Sequence, residues 1–295
     1  MFKVTYFPKN RQDFEVLIVS PHSSEGKAFF EKFPQILEHP EISKHSELMN
    51  RYLRIEADRG ASELSLSLAQ FLEAKGIAAM VLELDYPRGI VDGGRILDHC
   101  LRSCLPLDIS DFLEDEFRKM HQSSLKQLKH FHDEINERGG LVIDMHTMAS
   151  YSPMQEGVEK TERESFESLE RYCQQFIEAP KTEENLRQFD VITEDGEGNL
   201  IADPVLREEL INLLFEHNIP YKENHPYFAY PAFLMNTHLT RCPAIAIDIP
   251  KHFIATTDGP EDFDLENFKI SQEKVDSLSS LIALAIERTL MAKKV

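Results

Sequence analysis

Phe14-Glu-Val-Leu-Ile-Val-Ser-Pro-His-Ser-Ser-Glu25 is the stretch that decides the fold. Its first part is a short, continuous apolar run, which is typical of a strand buried on both faces, as in a parallel sheet. Pro21 ends this predicted strand, and His22 and Glu25 follow it. In open α/β sheets, ligands bind at the carboxyl ends of the strands. The stretch therefore predicts an α/β protein with a candidate site at that edge of the sheet.

A second buried run, Leu141-Val-Ile-Asp-Met-His146, also ends in a histidine. Two strand ends could bring His22, Glu25 and His146 together, and two imidazoles with one carboxylate form a zinc site that leaves one position open for water. Taken singly, each histidine also has a structural explanation. His22 could be a loop residue hydrogen-bonded to backbone, and His146 a satisfied residue at the sheet edge.

The composition is that of a soluble globular protein of 295 residues, with 42% hydrophobic and 28% charged residues. The formal net charge of −19 argues against nucleic acid or an anionic membrane as a partner, because long-range repulsion would oppose the encounter. An anionic substrate could be held only by a local cluster of arginine or lysine.

The sequence predicts a cytoplasmic protein. No secretory signal is evident at the N-terminus, and no apolar stretch approaches the length of a membrane span. Cys100 and Cys104 are spaced in a way that matches no usual zinc or redox motif. We therefore expect the four cysteines to be buried thiols in a reducing compartment.

A crossover helix and a further strand follow the first strand. Apolar residues recur at helical spacing over Glu63–Lys75, where Ser62 is a candidate N-cap and Gly76 a candidate C-terminal residue in the left-handed conformation. The buried run Ile77–Leu84 comes next and should pair parallel to the first strand. Together these segments predict a β-α-β unit.

The glycine-rich segment Tyr86-Pro-Arg-Gly-Ile-Val-Asp-Gly-Gly-Arg95 is predicted to be a loop at the end of that strand. Arg88 and Arg95 could face one anion there, or could be two solvated arginines. The sequence leaves both alternatives open.

Periodicity predicts three longer helices in the rest of the chain, over Ser110–Arg138, Thr161–Ala179 and Ser271–Lys293, and Asp203-Pro204 is predicted to begin another. His121, His130 and His132 have charged neighbours and are interpreted as surface residues. The run Ala244–Ile249 should be the last core strand. Asp248 lies inside this run, where a carboxylate is costly to bury unless it is paired or functional, so it is a candidate catalytic base.

Collected in chain order, these motifs resemble those of the N-formylglutamate amidohydrolase family, over Phe14 to about Ile249 and only weakly over 155–215. The motifs that carry the resemblance are Pro21-His22-Ser23 with Glu25, Arg88-Gly-Ile-Val-Asp-Gly-Gly-Arg95, Asp144-Met-His146, Asn224-His-Pro-Tyr227, His238 and Ala246-Ile-Asp248. The resemblance implies a zinc-carboxypeptidase-like fold: a single three-layer α/β domain over 1–295, with a mixed, largely parallel sheet flanked by helices and a possible insertion around 150–215.

The resemblance also implies roles for residues at the metal. His22, Glu25 and His146 would bind one Zn²⁺ ion, and Asp144 would either contact a ligand of that ion or simply support the loop. Asp248 stands where the family has its general-base glutamate. Its side chain is one methylene shorter, and a misplacement of about 1 Å can cost on the order of a hundredfold in rate.

Other implied roles concern the substrate. Arg88 would polarise the scissile carbonyl and stabilise the oxyanion, and Arg95 would bind a substrate carboxylate with its planar guanidinium. Asn224 and His238 would also contact the substrate. Gly94 replaces the asparagine of the family motif and so removes a hydrogen-bond donor beside Arg95.

The expected function is that of a zinc-dependent amidohydrolase cleaving the amide of an N-acylated, formyl-type amino acid or a related small amide that carries a carboxylate. The alternative is a non-catalytic or weakly active member of the family that works as a metal- or anion-binding module, which Asp248 and Gly94 favour. A third possibility is a metal-free α/β protein that binds an anion through Arg88 and Arg95. The sequence predicts no oligomeric state.

Overall fold

The structure is a computed structural model, and it describes residues 1–10, 13–153 and 165–293. Within these residues a single seven-stranded sheet has the order β1-β3-β2-β4-β7-β5-β6. The strands are β1 (Phe2–Phe7), β2 (Val16–Ser20), β3 (Ala79–Leu84), β4 (Leu141–Met148), β5 (Phe189–Ile192), β6 (Tyr221–Glu223) and β7 (Ala244–Pro250).

The sheet is mixed and largely parallel, as predicted. Strand β2 pairs parallel with both β3 and β4, and β4 pairs parallel with β7. Only β1 against β3 and β5 against β7 are antiparallel. The four central strands β3, β2, β4 and β7 are fully buried, which explains why their sequences are apolar without alternation.

Helices flank the sheet. They are α1 (Lys27–Lys32), α2 (Pro34–Glu38), α3 (Pro40–Lys44), α4 (Ser46–Glu56), α5 (Ala61–Ala74), α6 (Leu107–Glu137), α7 (Phe166–Ile177), α8 (Pro204–Glu216), α9 (Leu234–Arg241) and α10 (Gln272–Lys293). Short 3-10 helices span Leu97–His99, Lys251–Ile254 and Pro260–Asp262. Helix α10 packs against α5 and α8, whereas α6 and α9 contact strand β4. The predicted α/β class is therefore confirmed.

Two hydrophobic clusters account for most of the buried core. The larger one surrounds the central strands together with α5, α8 and α10. The second joins the short helices α1–α4 to the first half of α6 and to α7. The second cluster shows how the helices α1–α4 are held in place. The predicted single domain with an insertion over 150–215 stays a prediction, and 154–164 lie outside the described residues.

Helix ends agree in part with the sequence signals. Asp203 is the N-cap of α8, where its side chain accepts a hydrogen bond from the Leu206 amide at 3.0 Å. Gly76 follows α5 in the left-handed conformation, as predicted. The prediction of Ser62 as an N-cap was wrong. Helix α5 begins at Ala61, so Ser62 lies inside it and donates instead to Glu83.

The prediction that the histidines of α6 are surface residues was wrong for two of the three. His121 and His132 are buried, and only His130 is solvent-exposed. The four cysteines are buried and form no disulfide within the described residues, as expected for thiols. Helix α7 begins at Phe166 with a capping box at Ser165, and residues 161–164 of the predicted helix lie outside the described residues.

Gly60 precedes helix α5 with φ of 99°, and Gly76 follows the same helix with φ of 76°. A Cβ at Gly60 would collide with the buried side chain of Ile254, whereas a Cβ at Gly76 would meet nothing within 4 Å. We expect Gly76→Ala to cost about 1 kcal/mol for the left-handed conformation. Gly60→Ala should cost a further 1–3 kcal/mol, roughly, for overpacking. Urea unfolding of the two variants measures the difference, and equal losses would contradict this account of Gly60.

Candidate active site

Three buried side chains converge at the carboxyl edge of the sheet. Asp58 Oδ2 lies 3.3 Å from His22 Nδ1 and 3.0 Å from His146 Nδ1. His22 lies two residues beyond β2, and His146 lies near the end of β4. Because β2 and β4 are adjacent and parallel, both imidazoles reach the same edge. This is a group of donors that could hold a metal ion.

Asp58 is positioned by backbone contacts to three strand ends. The segment Ala57-Asp-Arg59 joins α4 to α5, and the Asp58 amide donates to the His22 carbonyl at 3.0 Å. The Thr147 hydroxyl donates to the Arg59 carbonyl at 3.0 Å. The Lys251 ammonium donates to the Ala57 carbonyl at 2.8 Å. The segment is therefore fixed to the chain at the ends of β2, β4 and β7.

Each imidazole faces a second carboxylate with its other nitrogen. His22 Nε2 is 2.7 Å from Asp92 Oδ1, and His146 Nε2 is 3.1 Å from Asp144 Oδ1. Both aspartates are almost fully buried. Metal-binding histidines usually donate their second ring N–H to a carboxylate, which leaves the first nitrogen unprotonated for the ion. The contact of His22 with Asp92 has hydrogen-bond geometry, whereas His146 and Asp144 are within ion-pair distance only.

With their N–H groups directed at the outer carboxylates, the two Nδ1 lone pairs would face an anionic Asp58 oxygen. That arrangement is unfavourable unless a cation or protons lie between the three atoms. In a tetrahedral zinc site, bond lengths of about 2.0–2.1 Å place neighbouring ligand atoms roughly 3.3 Å apart. The observed 3.0 and 3.3 Å separations match that spacing. The donor set and the two separations that involve Asp58 therefore fit a divalent metal ion such as Zn²⁺, and all three donor atoms lie within 4.8 Å of one another.

The surroundings of Gly94 explain why this position carries no side chain. Its amide donates to Asp92 Oδ1 at 3.0 Å and lies 2.9 Å from His22 Nε2. A Cβ at this position would lie 2.5 Å from His22 Cε1. The imidazole therefore leaves no room for a side chain at residue 94.

The group opens into a cavity whose empty space, including the part open to solvent, is about 930 Å³. Five cationic and four anionic side chains line it, so that neutral histidines leave a small positive excess in a strongly acidic protein. These residues are Arg88, Arg95, Arg102, Arg187, Lys251, Glu56, Asp58, Asp92 and Asp248. Apolar and aromatic walls complete the cavity, among them Ile55, Met148, Tyr172, Phe176, Tyr227 and Phe233.

Three of these arginines surround one carboxylate. Asp92 Oδ2 lies 2.5 Å from Arg102, 3.4 Å from Arg95 and 3.9 Å from Arg88. Burial raises the pKa of Asp92, but Arg102, His22 and Arg88 outweigh it and hold that pKa well below its usual range. The Arg95 guanidinium also lies 3.8 Å from the centre of the Phe233 ring. One buried anion thus holds a cationic cluster at the cavity wall.

Asp248 lines the same cavity beside the candidate metal ligands. It is the register partner of His146 in the parallel pair β4–β7, so the two residues lie side by side. Burial and the charge of Asp58 raise the pKa of Asp248 to about 6. Among the described residues, its buried Oδ1 has no hydrogen-bond partner. A carboxylate with a raised pKa and an uncommitted oxygen is suited to accept a proton.

The structure brings together most of the predicted site, but not Glu25. His22, His146, Arg88, Arg95 and Asp248 all line the cavity. Glu25 is exposed, and Asp58 occupies the place in the donor group that the sequence had assigned to it. Two features fix the backbone on either side of Glu25: Ser24 donates to Asp85 at 2.7 Å, and Gly26 has a left-handed φ of 80°.

Asn224 and His238 do not line the cavity. The Asn224 side-chain oxygen accepts hydrogen bonds from the amides of Thr193 and Glu194 at 2.8 and 2.9 Å. These bonds tie down the start of the loop that carries Tyr227 to the cavity. His238 is fully buried and lies 2.8 Å from His132.

Cavity residues that the sequence analysis did not identify are Asp58, Glu56, Arg102, Arg187, Tyr172 and Lys251, and Tyr227 was named only within a motif. For Asp58 a signal was available: an aspartate and a glycine stand immediately before a crossover helix, in a β-α-β unit whose first strand ends at the site. The others come from distant segments, and no local pattern joins them.

No family model matches the chain. No curated protein matches it either. Two solved structures share the fold over nearly its whole length. One is a gene product of Agrobacterium tumefaciens, with TM-score 0.58 and 11% identity, covering 99% of this chain and 96% of that one. The other is an N-formylglutamate amidohydrolase from Ralstonia eutropha JMP134, with TM-score 0.56 and 13% identity, covering 97% and 98%. The expected α/β fold class, with a mixed and largely parallel sheet flanked by helices, is thus confirmed.

Within the described residues, no helix combines the length and the apolar character that crossing a membrane requires.

Competition titration with zinc distinguishes Asp58 from Glu25 as the third ligand. We expect Asp58→Asn to weaken zinc binding by at least about a hundredfold, because it removes a charged donor from the group. Glu25→Gln is the matched control and should bind zinc as the wild type does, since Glu25 is exposed and outside the group. Loss of binding in Glu25→Gln, with normal binding in Asp58→Asn, would reverse the assignment.

Proposed function

We propose that this protein is a metal-dependent amidohydrolase that cleaves the amide of an N-acylated, formyl-type amino acid or a related small amide bearing a carboxylate. The observation that carries the proposal is the convergence of His22, Asp58 and His146 on one point of a cation-lined cavity, with Asp248 beside them. The shared fold with an N-formylglutamate amidohydrolase supports the same class of reaction.

His22, Asp58 and His146 would hold the ion through Nδ1, Oδ2 and Nδ1. When bound, Zn²⁺ or a similar divalent ion supplies Lewis acidity, which activates water and polarises a carbonyl group. Other divalent ions would also fit such a donor set, and the choice in a cell depends on their supply.

Asp248 would act as the general base. Its carboxylate would take a proton from the attacking water and return it to the amine nitrogen as the C–N bond breaks, so that amide and water become carboxylic acid and amine. The lateral register with His146 places the Cα of Asp248 on the strand adjacent to a ligand. This supports an aspartate serving where the family has the longer glutamate.

Arg88 is the candidate for stabilising negative charge on the carbonyl oxygen. Its Nη1 lies 3.5 Å from Asp58 Oδ1, so the guanidinium borders the donor group. Its Nε is buried and has no hydrogen-bond partner among the described residues. A cation fixed before the reaction begins stabilises the developing oxyanion without reorganising.

Arg95 is the candidate for binding a substrate carboxylate. Its Nε is directed at Asp92, and its guanidinium plane is stacked on Phe233. The planar fork then presents its remaining nitrogens for a bidentate contact. Since several cations surround the cavity, an anionic substrate would be drawn into it despite the net charge of the protein.

One experiment distinguishes the proposed amidohydrolase from the alternative, a module that binds a metal or an anion without catalysis. The zinc-loaded protein is incubated with N-formyl and N-acetyl amino acids, and released amine is measured. Hydrolysis of a carboxylate-bearing amide that is lost on chelation and restored by zinc supports the proposal. Stoichiometric zinc with no turnover of any substrate would favour the binding module. The absence of zinc would favour the metal-free anion-binding alternative.

The activity should depend on ionised Asp248. Because its pKa is raised to about 6, the carboxylate loses its basic form as the pH falls, so kcat/KM should decrease below about pH 6. Asp248→Asn should lower kcat by about 10²–10⁴-fold. Asp248→Glu should retain measurable activity and serves as the matched control. An unchanged kcat in Asp248→Asn at pH 7.5 would show that Asp248 is not the general base.

Arg95→Gln should raise KM for a free-acid substrate by about tenfold or more, because it removes a charge-assisted hydrogen bond worth roughly 1.5–3 kcal/mol. The comparison substrate is the same N-acyl amino acid as its primary amide, which carries no negative charge. Its KM should be nearly the same in wild type and variant. Equal effects on both substrates would show that Arg95 does not bind the carboxylate.

A further inference from the structure

A chain of buried polar side chains extends from the candidate metal group into the core. His146 Nε2 lies 3.1 Å from Asp144 Oδ1, and Asp144 Oδ2 lies 3.9 Å from His238 Nε2. These are ion-pair contacts rather than hydrogen bonds, and the four atoms have no hydrogen-bond partner among the described residues. His238 Nδ1 in turn lies 2.8 Å from His132 Nε2. His132 comes from α6 and His238 from α9, and neither is among the residues that line the cavity.

The burial of these groups calls for an explanation. His238 is 0% exposed, and His132 and Asp144 are each 1% exposed. An unsatisfied buried polar group costs about 1–3 kcal/mol. The neighbours of His132 on the buried face of α6 are Leu128 and Ile135, so apolar residues would pack there at no such cost.

Both outer histidines are neutral near pH 7. Burial, assisted by the charges of His238 and Arg241, lowers the pKa of His132 to about 3. Burial also lowers the pKa of His238, against the opposing charge of Asp144. A neutral imidazole has one N–H donor and one bare acceptor nitrogen, so each histidine can donate in only one direction.

The position of each proton then follows from the carboxylate. His238 Nε2 faces Asp144 Oδ2 at 3.9 Å, and neither atom has a hydrogen-bond partner among the described residues. A proton on Nε2 makes this contact attractive, whereas a bare nitrogen would be repelled by the carboxylate oxygen, so we infer that His238 carries its proton on Nε2. Its Nδ1 is then bare and requires a donor, which His132 Nε2 supplies. If His238 instead carried its proton on Nδ1, its bare Nε2 would face the Asp144 carboxylate.

We propose that His132 and His238 are positioning residues that act through Asp144 on the candidate metal ligand His146. The Nε2 proton of His238 would attract Oδ2 of Asp144 across the 3.9 Å that separates them and so orient the carboxylate. Oδ1, which lies 3.1 Å from His146 Nε2, would then favour a proton on that nitrogen and leave Nδ1 of His146 bare for a metal ion. The inference deepens the proposed function and rests on it for the metal, but the proton positions of His132 and His238 do not depend on the metal.

The proton positions are measured directly in the metal-free protein. Long-range ¹H–¹⁵N correlation spectra of protein labelled at histidine distinguish a proton on Nε2 from one on Nδ1. We expect both His132 and His238 to be neutral and protonated on Nε2 at pH 7. Their signals are assigned from single variants at each position. A proton on Nδ1 of His238 would overturn the inference, and this result needs neither metal nor activity.

The effect on the metal is measured by competition titration with zinc. His238→Phe fills a similar volume but removes the donor to Asp144, and should weaken zinc binding by about 10–100-fold, as loss of an outer-shell partner does. His238→Gln keeps an N–H donor near the position of Nε2 and should recover most of the loss. Equal weakening in both variants would show a packing role only and would overturn the inference.

His132→Leu is a second variant, used in particular if His238→Phe does not fold by circular dichroism. It removes the donor to His238 while leaving the groups nearer the metal in place, and it should weaken zinc binding in the same direction. His130→Gln, at an exposed site on the same helix, should bind zinc like the wild type. Wild-type affinity in His132→Leu and in every folded His238 variant would contradict the inference. If the wild-type protein binds no zinc, the proposed function fails, and the spectra still decide the proton positions.

Discussion

One carboxylate oxygen, Asp58 Oδ2, lies between two imidazole nitrogens, and the rest of the site depends on keeping these three atoms together. All three side chains are buried, so each has lost most of its contact with water. The surroundings offset that loss at fixed positions: a second carboxylate behind each imidazole, and Arg88 at 3.5 Å from the other oxygen of Asp58. The core of the sheet supplies the rigidity that holds these partners in place.

Charge is distributed unevenly in this molecule. The chain as a whole carries −19, yet its cavity presents more cationic than anionic side chains. Asp92 is the reason: its buried carboxylate stabilises the guanidinium groups of Arg88, Arg95 and Arg102, which would otherwise repel one another. The local field can therefore attract an anion that the surface as a whole would repel.

Much of the sheet and part of the site could be predicted from sequence, because strands buried on both faces leave continuous apolar runs. The apolar runs of β2, β4 and β7 identified His22, His146 and Asp248 as candidate site residues, because these residues stand at or near the ends of the runs. Asp58 could not be obtained from those runs, since it lies between two helices and reaches the edge through backbone contacts. Glu25 was misplaced because sequence spacing does not reveal the turn after His22.

The error at His132 has a different cause. His132 is spaced four residues after Leu128 and three before Ile135, so it lies on the buried face of α6, but the charged neighbours were given more weight than the helical period. Asn224 and His238 were predicted to contact the substrate, whereas the structure shows one holding a loop and the other in the core. A motif identifies which residues belong to a site region, but not which of them face the cavity.

The attachment of Ala57-Asp-Arg59 to the ends of three strands has a consequence for exchange of an ion. Because the backbone that carries Asp58 is already fixed, binding of an ion there would require no segment to fold and little conformational entropy to be lost. The same hydrogen bonds couple the segment Ala57-Asp-Arg59 to the sheet, so the segment and the sheet should unfold in a single cooperative transition.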